Sequence, residues 1–127
     1  MINYEDATCD ARDLADLLDC TPRNILHMVD YGMPLFERGK AGKGHIFKVP
    51  WSMSWWGGWH ACKRLGKPVP GTLETFLIGS SLAWGGPGMS FKEWLKNTQE
   101  TAKSMGYSDH AFDSALLYVI SKKLLQF

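Results

Sequence analysis

Thr21-Pro22-Arg23-Asn24-Ile25 places an arginine and an asparagine just inside a helix start, with His27 following on the same face. Threonine is a favoured N-cap, and proline suits the first helical position because its missing N–H would have had no partner there. Side chains near the start of such a helix can reach base edges in the major groove of duplex DNA. Arginine can pair bidentately with guanine and asparagine with adenine, each discriminating by about 1–3 kcal/mol. Arg23 is therefore expected to meet a base or a phosphate. Asn24 is expected either to do the same or to serve local capping. His27 either contacts phosphate or is a partly buried, hydrogen-bonded histidine.

A second basic group follows in Arg38-Gly-Lys-Ala-Gly-Lys-Gly44, whose three glycines would let the backbone approach phosphates or a minor groove. Lys48 lies just beyond it. Thr21, Arg23, Asn24, His27, Arg38, Lys40, Lys43 and Lys48 thus form the expected DNA-contacting set. The net charge of +1 would not suggest a polyanion partner. Its distribution does, because residues 38–67 carry seven basic side chains and no Asp or Glu, while residues 5–19 carry six acids and one Arg.

Other chemistries lack the residues they require. Gly39-x-x-Gly42-x-Gly44 has no Gly-Lys-Ser/Thr ending and leads towards a strand, so it is not read as a nucleotide loop. His27, His45, His60 and His110 are scattered, and His60-Ala-Cys62 is too short for a usual metal clip. Cys9, Cys20 and Cys62 cannot all pair within one chain and show no Cys-x-x-Cys spacing, so reduced core thiols are expected. The chain is expected to be non-enzymatic, with no catalytic residues, cofactor or metal.

The elements that must position these residues follow from periodicity. Ala11, Leu14, Ala15 and Leu18 give residues 10–20 the stripe of a short amphipathic helix. Ile25, Met28 and Val29 carry a second helix to Tyr31-Gly32, where Gly32 can take a left-handed cap and Pro34 prevents continuation. Two short helices across a tight turn form a helix-turn-helix. Residues 35–37 and 45–49, flanking the glycine loop, read as a β-hairpin wing. Pro50 opens a third helix whose Trp51, Trp55, Trp56 and Trp59 form an aromatic face, interrupted at Gly57-Gly58 and ending near Gly66. Helical spacing favours core packing for these tryptophans over a stacking platform for single strands.

Gly66-Lys-Pro-Val-Pro-Gly71 is a linker candidate. Three helices are expected beyond it, over residues 72–84, 90–105 and 108–126. The second opens on a Ser90-x-x-Glu93 capping box and repeats Phe91, Trp94, Leu95, Ala102 and Met105. The third repeats Phe112, Ala115, Leu116, Val119, Ile120 and Leu124, with Lys122 and Lys123 in its last turn. Leu117, Tyr118 and Leu125 add more apolar surface than so small a unit readily buries. That excess packs either against a neighbouring subunit or back onto residues 51–59.

An apolar share of 45%, with six Trp and six Phe, argues for a folded chain. No run of 18 apolar residues and no basic-then-apolar leader occurs, so a cytoplasmic protein without a membrane partner is expected, in host cytoplasm if viral.

Asp13-Leu-Ala-Asp-Leu-Leu-Asp-Cys-Thr-Pro-Arg-Asn-Ile25, then Tyr31-Gly-Met-Pro-Leu35, the glycine-lysine loop to Ile46-Phe47, and Trp55 resemble the DNA-binding domain of lambda-type phage DNA-packaging proteins. These are terminase small subunits, and related winged domains occur in phage excisionases. The likeness covers residues 10–64, with Gly32-Met33-Pro34 its most telling piece. It implies DNA contact by Arg23, Arg38, Lys40 and Lys43. It also implies binding to a packaging-initiation site and delivery of the genome to a large subunit holding ATPase and nuclease. Lambda-type subunits continue into a long charged helix, whereas residues 72–127 here read as three shorter ones.

The expected architecture is mainly α. A winged helix-turn-helix spans residues 1–66, a linker residues 67–71, and a helical oligomerisation or partner-binding region residues 72–127. The expected function is a homo-oligomeric terminase small subunit that binds double-stranded DNA and recruits a large subunit. A phage transcription regulator or excisionase-like protein would use the same DNA chemistry, and a module inhibiting a host factor would use the domain only as a scaffold.

Overall fold

The computed structural model describes residues 7–39, 44–83 and 90–125. The fold is mainly helical with a small two-stranded antiparallel sheet. The chain divides into two compact units, Met1–Met53 and Ser54–Phe127.

The first unit opens with strand β1 (Thr8–Cys9), then helices α1 (Ala11–Leu17) and α2 (Pro22–Asp30). Asp10 caps α1 by accepting from the Asp13 N–H at 2.9 Å, and Thr21 caps α2 by accepting from the Asn24 N–H at 3.2 Å. Each helix ends in a pair of reversing hydrogen bonds. After α1, the Cys20 N–H donates to the Ala15 carbonyl at 2.9 Å, with Asp19 at φ 54°. After α2, the Met33 N–H donates to Met28 and the Gly32 N–H to Val29, with Gly32 at φ 117°. Leu14, Ala15, Leu18, Ile25, Met33 and Phe47 are buried, so the apolar stripes of both helices face inward.

The hairpin after α2 is smaller than its sequence suggests. Glu37 and Ile46 form one antiparallel bridge, with the Ile46 N–H donating to the Glu37 carbonyl and the Phe36 and Glu37 N–H groups both donating to Ile46. Strand β2 (Phe47–Lys48) pairs instead with β1, in the register Thr8 with Lys48 and Cys9 with Phe47. Residues 45–49 therefore do not form one continuous strand. Val49 already begins helix α3 (Val49–Arg64), one residue before Pro50.

Helix α3 is unbroken, contrary to the interruption expected at Gly57-Gly58. Those glycines serve packing. A β-carbon on Gly58 would overlap the Thr75 carbonyl oxygen of α4 (Thr72–Ala83), and one on Gly79 of α4 would overlap the Ser54 carbonyl oxygen. The backbones of α3 and α4 thus meet directly. This contact ties residues 54–64 to the second unit, so the chain divides at Met53/Ser54 within α3 rather than at residues 67–71. The latter form a short connection inside the second unit.

The second unit is completed by α5 (Phe91–Ser104) and α6 (Asp109–Ser121). Ser90 and Ser108 cap them, accepting from the N–H groups of Glu93 and Ala111. Ala61, Cys62, Leu73, Phe76, Leu77, Ile78, Trp94, Ala102, Phe112, Ala115, Val119 and Leu124 form one core. A polar link lies between α4 and α5, where the Trp94 indole N–H donates to the Ser80 hydroxyl at 3.1 Å. Helix α6 is shorter than expected. Lys122 caps it, Lys123 takes φ 56°, and Leu124 turns back into the core. Leu125 packs against that core rather than projecting from it, whereas Ile120, expected within the buried stripe, is exposed.

No helix is long and apolar enough to cross a membrane among the described residues. Cys9, Cys20 and Cys62 are free thiols, but only Cys62 is fully buried. Burial pushes all three above the ordinary thiol range.

Candidate functional site

Helix α2 is short, and its two faces differ sharply. Ile25 is 0% exposed, and Met28 and Val29 are half-buried beside it. Arg23, Asn24, Leu26, His27 and Asp30 are exposed on the other side. At 100° per residue, Arg23, His27 and Asp30 lie along one line, with Asn24 and Leu26 flanking it. His27 is thus a surface histidine rather than a buried, hydrogen-bonded one.

The start of α2 has an unusual charge arrangement. Its first turn contains no acid. Arg23 therefore stands at the positive end of the helix dipole, where a cation costs about 0.3–1 kcal/mol and an anion would be favoured. Among the described residues, no acidic side chain lies within ion-pair distance of Arg23. The Thr21 hydroxyl is used internally as the cap, so its contribution is to fix the helix start. The side chains of Arg23, Asn24 and His27 offer guanidinium, amide and imidazole groups to a ligand lying across this face.

The hairpin supplies a second group. Arg38 is exposed. Below the loop tip, the Gly39 N–H donates to His45 Nδ1 at 2.8 Å, closing the loop base, and the His45 ring stands edge-on to Phe47. Lys40 and Lys43 lie outside the described residues. Lys48 has a different setting from the loop cations. Its ammonium sits 5.4 Å from the Phe36 ring centre and 5.2 Å from that of Trp51, while those two rings meet edge-to-face at 5.9 Å. Such cation–π contacts hold Lys48 against Phe36 of the hairpin and Trp51 in the first turn of α3.

In the second unit, the α3 tryptophans divide by role. Trp55 is buried, whereas Trp56 and Trp59 are half-buried. The His60 ring packs edge-on against both, at 4.4 Å and 5.0 Å, and the Lys63 ammonium lies 5.1 Å above Trp59. Burial first, and the Arg64 charge second, hold the His60 imidazole below the ordinary histidine range.

Among the described residues no group of three His, Cys, Asp or Glu side chains could hold a metal ion. Leu26 is the residue on the α2 face that sequence reasoning missed. The signal was present in its spacing, three residues after Arg23 and one after the inward Ile25. No protein-family model matches this chain, and no curated protein matches it.

Proposed function

We propose that the first unit is a winged helix-turn-helix that binds double-stranded DNA, with α2 as the groove-entering helix and the 37–46 hairpin as the wing. The chain then acts as a phage terminase small subunit, which recognises viral DNA and delivers it to a large motor subunit. The observation that carries the reading is the exposed α2 face. Arg23 and Asn24 project from the first turn of a helix whose start is fixed by Thr21, and His27 from its last turn on the same side, over a buried Ile25 and with no acid in the first turn. The short turn between α1 and α2 and the hairpin that follows suit this docking geometry.

Packaging is favoured over a purely regulatory role by the apolar side chains left on α6, where Leu117 is 68% exposed and Tyr118 and Ile120 lie beside it. Assembly through that face would give several weakly binding units avidity on a multi-copy site. The DNA reading is tested by fluorescence anisotropy with labelled mixed-sequence duplex across a salt series. Binding that weakens steeply with salt supports it, each phosphate contact adding about 0.9 to the slope of log K against log salt. No binding to duplex at low salt overturns it. Native mass separates the two biological roles, a ring pointing to packaging and a dimer to regulation or excision.

A further inference from the structure

The outer face of α2 carries one exposed large apolar side chain among polar ones. Leu26 is 47% exposed in the second turn, next to the fully buried Ile25 and surrounded on its own side by Arg23, His27 and Asp30. A lysine, glutamine or glutamate would serve helix formation equally well at this position. A lone exposed leucine on an ordinary surface would call for no account. Leu26 differs in its placement. It stands one turn after Arg23 on the same ridge, so any polyanion drawn to Arg23 and the acid-free helix start brings its own surface against the Leu26 side chain.

We infer that Leu26 is a specificity-determining residue that packs on the C5-methyl group of a thymine in the major groove; the inference rests on the DNA-binding reading above. The chemistry is complementary. The thymine methyl is the one apolar group on a base edge in that groove, and apolar side chains read it by contact. Arg23 supplies polar recognition beside it, and Leu26 rejects base pairs that would place a bare polar edge against its methyl groups. The recognised sequence therefore contains a thymine adjacent to the base or phosphate that Arg23 meets.

The test begins with selection of a preferred duplex from a random pool by the full chain. Each thymine of the selected site is then replaced in turn by deoxyuridine, which removes the methyl group and leaves every hydrogen-bonding atom in place. Wild-type protein loses affinity about four-fold at one such position, the effect of exposing one methyl group. Leu26→Ala, with its fold checked by circular dichroism, binds the thymine and deoxyuridine duplexes equally at that position. Leu26→Met, which keeps an apolar side chain of similar reach, restores the preference. A selected site without thymine, no position sensitive to methyl removal, or the same sensitivity in Leu26→Ala overturns the inference while leaving DNA binding intact. No binding to any duplex at low salt overturns the underlying reading instead, and the inference with it.

Discussion

Gly58 of α3 and Gly79 of α4 meet at the helix crossing so closely that neither has room for a β-carbon. Gly57, the next residue, is different, since a β-carbon there would lie 3.7 Å from Leu82 Cδ1 and 3.8 Å from Gly79 Cα, in ordinary contact. Alanine at the two adjacent positions should therefore act in opposite directions. Gly57→Ala gains helix propensity and should stabilise the protein by up to about 1 kcal/mol. Gly58→Ala and Gly79→Ala must push the two backbones apart and should each cost about 1–3 kcal/mol or more despite the same gain in propensity. Urea unfolding of the three variants checks this, and equal effects at positions 57 and 58 would contradict the crossing.

Two helix ends use a non-glycine residue in the left-handed region, Asp19 at φ 54° and Lys123 at φ 56°. That conformation costs an ordinary L-residue about 1–2 kcal/mol, and an aspartate less because its short polar side chain tolerates it. Lys123→Gly should stabilise the protein by about 0.5–1 kcal/mol after allowing for the greater freedom of glycine in the unfolded chain. Asp19→Gly should gain less, and Lys123→Val should lose stability. Thermal unfolding ranks the three.

What could be read from the sequence was mostly local. The limits of α2 followed from Thr21-Pro22 and Gly32-Met33-Pro34, because caps are built by neighbouring residues. The continuity of α3 did not follow, since Gly57-Gly58 resembles a helix breaker unless the facing Gly79 is known. Strand β1 went unread for a similar reason: Thr8–Cys9 is two residues long and exists only by pairing with Phe47–Lys48. The same distinction holds at the candidate site. Arg23, Asn24 and His27 were placed by helical periodicity. The clasp of Lys48 between Phe36 and Trp51 depends on how the hairpin meets α3, which no local pattern encodes.

His60 gives the second unit a pH-dependent contribution to stability. Its folded value is depressed by burial against Trp56 and Trp59 and by Arg64, so the unfolded chain takes up its proton first as pH falls. The unfolded state then binds more protons, and stability drops between the ordinary histidine value near 6.5 and the lower folded one. Below both values the loss is complete. His60→Gln should flatten this part of the stability profile relative to wild type in urea titrations stepped from pH 7.5 to 5. Parallel profiles would show that His60 does not titrate in this way.

Position and chemistry separate the roles of the basic side chains. Arg23→Ala should reduce discrimination between a selected duplex and random DNA, because Arg23 stands at the start of α2. Lys40→Ala combined with Lys43→Ala should weaken both about equally and lower the salt slope. Lys48→Ala should act mainly through stability, because its ammonium is held by Phe36 and Trp51. Equal loss of selected and random binding for Arg23→Ala would show that it meets only phosphate.

The last prediction concerns self-association through α6. Leu117, at 68% exposed, and Ile120, at 47%, lie one turn apart on its outer side, while Phe112, Ala115 and Val119 face the core. Removing residues 68–127 would be a poor test, because residues 54–64 belong to the second unit and Ala61 and Cys62 would lose the core they pack into. Point substitutions avoid that difficulty. Leu117→Glu with Ile120→Glu adds charge only to the exposed side and should leave circular dichroism and thermal unfolding of the monomer nearly unchanged. If copies assemble through this face, wild-type protein is multimeric by native mass and the double variant monomeric. The variant should then bind a multi-site duplex much more weakly while keeping wild-type affinity for a single site, since only avidity is lost. A wild-type chain that stays monomeric at high concentration would rule out assembly through α6.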